Sequence, residues 1–324
     1  MTGEVTVDVT VTQARWESDG VLSLRLRGEQ PLPAWTAGAH VDLLLPSGLV
    51  RQYSLCGEQD DPEYTVAVLR EPAGRGGSAE IHSSQLVGRR LRVRGPRNRF
   101  ALEPAPAYEF VAGGIGITPL LAMIRRAAAE RTPWRLHYGG RRASTLAFTD
   151  ELRRLAGTSR GEVVLRTDDV EGPLPLADIL AGAPNGAAVY ACGPAGMLTA
   201  LGEVAGRVGS DLPIRVERFG VDPHAGRPAD TATDGSGGFE VELARTGETL
   251  TVAAGESVLE AVRALRPDVL SSCEEGFCGT CETTVLDGTP IHRDTILTDR
   301  ERAGNTSMMI CVGGCSSPRL VLDL

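Results

Sequence analysis

Four cysteines near the C-terminus restrict this chain more than any other feature. Cys273, Cys278 and Cys281 stand in C-x4-C-x2-C spacing within Ser272-Cys273-Glu274-Glu275-Gly276-Phe277-Cys278-Gly279-Thr280-Cys281, and Cys311 follows after 29 intervening residues. Four thiolates at this spacing can hold a 2Fe–2S cluster. Two sulfide-bridged irons need four soft anionic ligands, and one tight loop can bring three of them to the same side. Gly276 and Gly279 let the backbone curl without a Cβ clash, and the small Thr280 leaves room for amide donors to the sulfurs. Zinc sites usually offer paired C-x2-C units, and only one such unit exists here. A disulfide framework suits a short secreted chain, whereas this one has 324 residues and no secretory segment.

That length suggests two or three domains, each able to bury its own core. No run of about 18 apolar residues is present, so no membrane helix is expected. The first residues, Met1-Thr2-Gly3-Glu4-Val5, alternate at once without a basic apolar leader. Together with seven cysteines, this predicts a reducing, cytoplasmic location. The chain contains no lysine: all 33 basic residues are arginine. A Walker A lysine and a Schiff-base lysine are therefore both excluded. The net charge of −9 argues against nucleic acid as a partner.

Residues 5 to 100 read as short strands punctuated by turn residues. Val5–Val11, Val21–Leu26 and Tyr64–Leu69 alternate, and Pro46-Ser47-Gly48 and Pro72-Ala73-Gly74 break the pattern. A small antiparallel barrel is expected. In an extended Arg51-Gln52-Tyr53-Ser54-Leu55, Arg51 and Tyr53 share one face and can address one ligand. Gly74-Arg75-Gly76-Gly77-Ser78 has amides and a hydroxyl that suit a phosphate at the start of a short helix. Taken singly, these stretches also fit an ordinary sheet surface and a plain loop.

From about residue 106 the pattern changes. Tyr108–Ala112 is a short apolar strand that runs into Gly113-Gly114-Ile115-Gly116-Ile117-Thr118-Pro119 and then a helix. Such a unit sets a pyrophosphate against helix-start amides, although the spacing departs from G-x-G-x-x-G. Strands at 134–140, 163–166 and 187–191 alternate with helices, which predicts a parallel sheet covered on both faces. The last strand ends in Cys192-Gly193-Pro194, beyond the carboxyl end where ligands of such sheets bind.

R-x-Y-S, G-R-G-G-S, G-G-I-G-I-T-P and C-G-P occur in the order found in the ferredoxin-reductase superfamily. The chain most resembles the phthalate dioxygenase reductase (vanillate demethylase reductase) family within it. The resemblance implies a multidomain chain: a flavin-binding antiparallel β-barrel over 1–103 and an α/β parallel-sheet nicotinamide domain over 104–219. It also implies a linker over 220–238 and an α+β, β-grasp 2Fe–2S ferredoxin domain over 239–324. Tyr53, Ser54, Val68 and Leu69 would line the isoalloxazine, while Arg51, Gly76, Gly77 and Ser78 would hold the phosphate of FMN, the flavin typical of this family. Gly113, Gly114, Gly116, Thr118 and Pro119, with Cys192, Gly193 and Pro194, would bind the nicotinamide nucleotide. Phe219 would stack on the flavin and yield to the nicotinamide. NADH is the expected donor. Arg141 and Arg142 read as solvated side chains, although they stand where the 2′-phosphate of NADPH could lie.

By the same resemblance Cys273, Cys278, Cys281 and Cys311 are the cluster ligands. Met308-Met309-Ile310-Cys311 matches the family's fourth-ligand motif, which leaves Cys315 spare; Cys56 has no assigned role. From residue 239 onward there are 14 acidic residues against 7 arginines. This is either a solvated surface or a face that steers a basic partner. The implied activity is that of an oxygenase reductase. NADH delivers a hydride to the flavin, and single electrons pass through the cluster to a Rieske-type oxygenase or demethylase, or to a haem-thiolate monooxygenase. Cofactor contacts rather than acid–base catalytic residues are expected, in a monomer. Two other readings are an FAD-dependent electron-transfer subunit of dihydroorotate dehydrogenase and a redox sensor without turnover. The first expects a much shorter interval before the fourth cysteine.

Overall fold

Alternation of buried valines and leucines with exposed polar residues builds the first sheet. Its strands are β1 (Thr6–Ser18), β2 (Val21–Gly28), β3 (His40–Leu44), β4 (Val50–Ser54), β5 (Glu63–Leu69) and β6 (Arg90–Arg97), with helix α1 (Gly77–Ser83) before β6. The order is β4-β3-β6-β1-β2-β5, with antiparallel neighbours throughout. A bridge between Leu55 and Val66 joins the two edges, so the sheet closes into the expected barrel. The structure is a computed structural model that describes residues 5–72, 74–83, 85–220 and 238–324. The expected linker, Gly220 and Gly238 excepted, lies outside the described residues.

The next strands are β7 (Tyr108–Gly113), β8 (Trp134–Gly140), β9 (Gly161–Thr167), β10 (Ala188–Gly193) and β11 (Ile214–Arg218). They alternate with helices α2 (Ile117–Ala129), α3 (Thr149–Thr158), α4 (Leu176–Ala181) and α5 (Ala195–Val208). All five strands are parallel, in the order β11-β10-β7-β8-β9. The direction of winding reverses between β7 and β10, which opens a crevice at their carboxyl ends. The β7 strand is buried along its whole length, as a strand covered on both faces must be.

These two sheets belong to one compact unit, up to Phe219. Their core is continuous: Val41, Leu55 and Val66 of the barrel join one buried cluster with Phe100, Phe110 and Tyr190. Arg125 on α2 ties the sheets by donating to the carbonyls of Cys56 and Gly57 and pairing with Glu151 at 2.6 Å. Cys56 is therefore a buried joint between the sheets, and burial pushes its thiol up to about 12.

The second unit begins at Gly220. It contains β12 (Phe239–Leu243), β13 (Glu248–Val252), α6 (Val258–Arg263), β14 (Glu282–Asp287), β15 (Pro290–Ile291), α7 (Asp299–Gly304), β16 (Ser307–Met309), β17 (Gly314–Cys315) and β18 (Arg319–Leu322). The sheet runs β13-β12-β18-β14-β16, with the C-terminal β18 parallel to β12 in its centre. Capping boxes start both helices, Ser257 with Glu260 on α6 and Thr298 with Glu301 on α7. This is the β-grasp layout. Among the described residues no helix is long and apolar enough to cross a membrane.

Candidate flavin, nicotinamide and iron–sulfur sites

The barrel gathers the R-x-Y-S strand and the glycine loop. β4 carries Arg51, Tyr53 and Ser54, and the Arg51 guanidinium donates to the carbonyl of Arg75 at 2.5 Å. A Cβ built on Gly77 would meet Arg51 Cγ at 2.5 Å, so the arginine stem lies in the space that glycine leaves at the start of α1. Ser78 accepts from the Glu71 amide at 3.0 Å, which leaves its O–H available to donate. A cation, helix-start amides and a hydroxyl thus converge where a phosphate would fit. The charge of Arg51 reaches the Tyr53 phenol, as expected for residues on one face, but burial dominates and raises that phenol above its usual range. Val68 is fully buried in the core and its carbonyl lies 2.9 Å from His82 Nε2, whereas Leu69 is partly exposed.

The two nucleotide motifs meet at the crevice. Gly116 packs so closely on β10 that a Cβ there would sit 2.2 Å from the Cys192 carbonyl oxygen. Gly113 is crowded by Pro194 and Met197, and Gly193 by Met197 and Gly113. Thr118 donates to the Ile115 carbonyl at 3.0 Å, and Pro119 occupies the first turn of α2, where its missing N–H costs nothing. Gly114, with φ +53°, has nothing within 4 Å of a built Cβ and borders open space. Phe219 is exposed just past β11, 38 % accessible.

Glu217 on β11 is a site residue that the sequence reading missed. It stands beside Cys192 in the parallel register, close to the Ser54 hydroxyl of the barrel. Its Oε2 is sealed from solvent without a hydrogen-bond partner. Burial pushes the carboxyl up to about 8, against the smaller opposing influence of the Ser54 hydroxyl. Burial also raises the Cys192 thiol, and nearby Glu217 adds to the shift. Cys192 is accordingly a packing residue and not a reactive thiolate. The only local sequence signal was a glutamate two residues before Phe219, indistinguishable from a surface side chain.

In the second unit the four cysteines are buried and fall into two pairs. Cys273 neighbours Cys278, whose thiol it lowers to about 5, and Cys311 neighbours Cys281, which is also lowered. Among the described residues no three His, Cys, Asp or Glu side chains surround a point for a single metal ion. Two pairs of sulfurs suit two irons. Amides of Glu275 and Thr280 point at the sulfurs of Cys273 and Cys278, each at 3.4 Å, and Thr280 Oγ1 lies 3.3 Å from Cys278. Cys315 faces Ser317 Oγ at 3.1 Å on β17 and belongs to neither pair.

Residues 110–202 match the family described as oxidoreductase NAD-binding domain, and residues 241–313 match the 2Fe-2S iron-sulfur cluster binding domain. The phenoxybenzoate dioxygenase subunit beta of Ectopseudomonas oleovorans is 44% identical over 98% of this chain and 97% of its own length. The vanillate O-demethylase oxidoreductase of Pseudomonas putida is 37% identical over 98% of this chain and 100% of its own. Among solved structures, phthalate dioxygenase reductase superposes with a TM-score of 0.70 at 32% identity, covering 99% of this chain and 98% of that one. An intact type IV self-sufficient cytochrome P450 monooxygenase gives 0.84 at 40% identity; this chain spans 41% of it.

A nucleotide-binding parallel sheet and an iron–sulfur unit on one chain define an electron-transferring oxidoreductase. The chain belongs to the phthalate dioxygenase reductase (vanillate demethylase reductase) family, several of whose members are named as reductase subunits of oxygenase systems.

Proposed function

We propose that this reductase takes a hydride from NADH onto FMN and passes electrons singly to a separate terminal oxygenase. The expected boundaries are kept: flavin on 1–103, nucleotide on 104–219, a linker over 220–238 and the cluster on 239–324. The observation that carries the reading is the register of Cys192 beside Glu217 close to Ser54, which brings the end of the nicotinamide strand near the flavin strand within one continuous core. When bound, the flavin supplies the chemistry that converts one two-electron donation into single-electron steps.

The chain's own residues bind and orient. Arg51, Gly76, Gly77 and Ser78 hold the phosphate, and Tyr53, Ser54, Val68 and Leu69 line the ring system. Gly113, Gly114, Gly116, Thr118 and Pro119 receive the dinucleotide, and Cys192, Gly193 and Pro194 present the nicotinamide beneath Phe219. The Glu217 carboxyl holds a proton beside that meeting point at neutral pH. Cys273, Cys278, Cys281 and Cys311 ligate the cluster.

Charge favours an external basic partner. Residues 1–219 balance 25 acidic residues with 25 arginines, so the excess lies on the iron–sulfur half. Rieske-type oxygenases are supported by the names of several relatives, and a haem-thiolate acceptor by the monooxygenase that contains a similar module. The partner, like this chain, is assigned to the cytoplasm. Chromatography of the released flavin tests the FMN assignment, and FAD in its place would contradict it. Dye reduction with NADH against NADPH tests the donor; a higher kcat/KM for NADPH would reverse that assignment.

A further inference from the structure

Asp294 lies between β15 and α7, 4% exposed, among residues that no cofactor assignment uses. Its Oδ2 accepts the amides of Ile296 at 3.1 Å and Leu297 at 2.8 Å, which curls the backbone into a tight turn. Arg302 of α7 donates to the Asp294 carbonyl oxygen at 2.6 Å and lies 3.8 Å from Oδ2. The turn aims the Thr295 amide at the carbonyl of Gly276, 3.0 Å away in the cysteine loop. Gly276 adopts φ +76°, and a Cβ on it would stand 2.7 Å from Val312 Cγ2 and 3.1 Å from Asp294 Cα. The loop is thus pinched between these neighbours, two residues before Cys278, with its Gly276 carbonyl held by the Thr295 amide. Asp294 Oδ1 and His292 Nδ1 face each other at 3.8 Å, both buried and both without a hydrogen-bond partner among the described residues. The other imidazole nitrogen of His292 lies 3.3 Å from Asn305 Oδ1.

We propose that Asp294 and Arg302 are positioning residues for the iron–sulfur centre, holding Gly276 of the cysteine loop in place and setting the cluster's reduction potential with opposite signs. This rests on Cys273, Cys278, Cys281 and Cys311 being the ligands of a 2Fe–2S cluster. Reduction adds one negative charge to the cluster. A buried carboxylate, incompletely hydrogen-bonded in a medium of low dielectric, opposes that charge; a guanidinium favours it.

The test uses the full-length holoprotein. Cluster content is read from absorption, and the midpoint from an electron-paramagnetic-resonance-monitored titration, in the wild type, Asp294→Asn, Arg302→Gln and Arg302→Lys. Asp294→Asn is expected to raise the midpoint and Arg302→Gln to lower it, each by about tenfold in the one-electron equilibrium, which is about 59 mV. Arg302→Lys keeps the charge and stays within about threefold of wild type. Midpoints of Asp294→Asn and Arg302→Gln that move the same way, or not at all, overturn the proposal. If Asp294→Asn assembles no cluster, the Arg302 pair decides: equal falls in the Gln and Lys variants overturn it. A wild type that takes up no cluster on reconstitution contradicts the ligand assignment instead.

Discussion

The Ser54 hydroxyl lies near the Glu217 carboxyl and favours its charged form, bringing β4 of the barrel to β11 of the parallel sheet. The two residues are 163 positions apart in sequence, and Glu217 stands beside Cys192 of β10 in the parallel register. A carboxyl so enclosed keeps its proton at neutral pH, so the meeting point of the two cofactor motifs carries no fixed negative charge.

Glu217 makes stability depend on pH in a definite direction. Its folded value, about 8, lies above the usual 4.5. The folded state therefore retains a proton that the unfolded chain has lost between those values, and stability falls as pH rises through that window. Glu217→Gln removes this dependence. Thermal midpoints of flavin-free protein should show the variant gaining on wild type from about pH 4.5 to 8 and running parallel above it. Parallel curves throughout would show that the carboxyl is not buried as described.

Arg51→Gln should weaken FMN binding by about ten- to a hundredfold, the worth of a charge-assisted contact. Riboflavin, which lacks the phosphate, should bind as before. Gly77→Ala should act in the same direction, because the new Cβ displaces the Arg51 stem. Fluorescence titration of both flavins checks this; equal losses for both would place Arg51 elsewhere than on the phosphate.

Two glycines of the nucleotide loop should fail differently. Gly116→Ala drives a Cβ into the backbone of Cys192, which cannot move aside, and should cost about 1–3 kcal/mol of stability. Gly114→Ala meets no atom; it costs about 1 kcal/mol of left-handed backbone strain and chiefly raises the KM for NADH. Thermal melts beside steady-state kinetics separate the two, and a large loss of stability in Gly114→Ala would contradict the open position of that residue.

Cys311→Ala should abolish the cluster's visible absorption, whereas Cys315→Ala should retain it. The Cys315 sulfur on β17 is engaged by Ser317. The reverse outcome would exchange their roles.

What could be read from sequence was local. The cysteine loop, G-G-I-G-I-T-P and C-G-P are contiguous, and each carries its chemistry in its own spacing. Strands whose edges are marked by proline and glycine were legible for the same reason. β3 and β6 were not singled out: β6 is rich in arginine, with only Leu91 and Val93 directed to the core, and β3 buries a charged Asp42 held by Arg94 and Arg97. Glu217 and Asp294 were invisible because their roles arise from burial against segments distant in sequence. The continuity of the core from Val41 to Tyr190, which makes one unit of two sheets, also depends on packing that no local pattern records.

The proposed internal route runs from pyridine nucleotide through flavin to the iron–sulfur cluster. Anaerobic titration of the purified, reconstituted protein with substoichiometric NADH, following absorption and electron paramagnetic resonance together, tests it. Flavin and cluster bands are expected to bleach in concert, and the resonance of a reduced 2Fe–2S cluster to emerge. A flavin that bleaches while the cluster stays oxidised, or a spectrum indifferent to both NADH and NADPH, would contradict it.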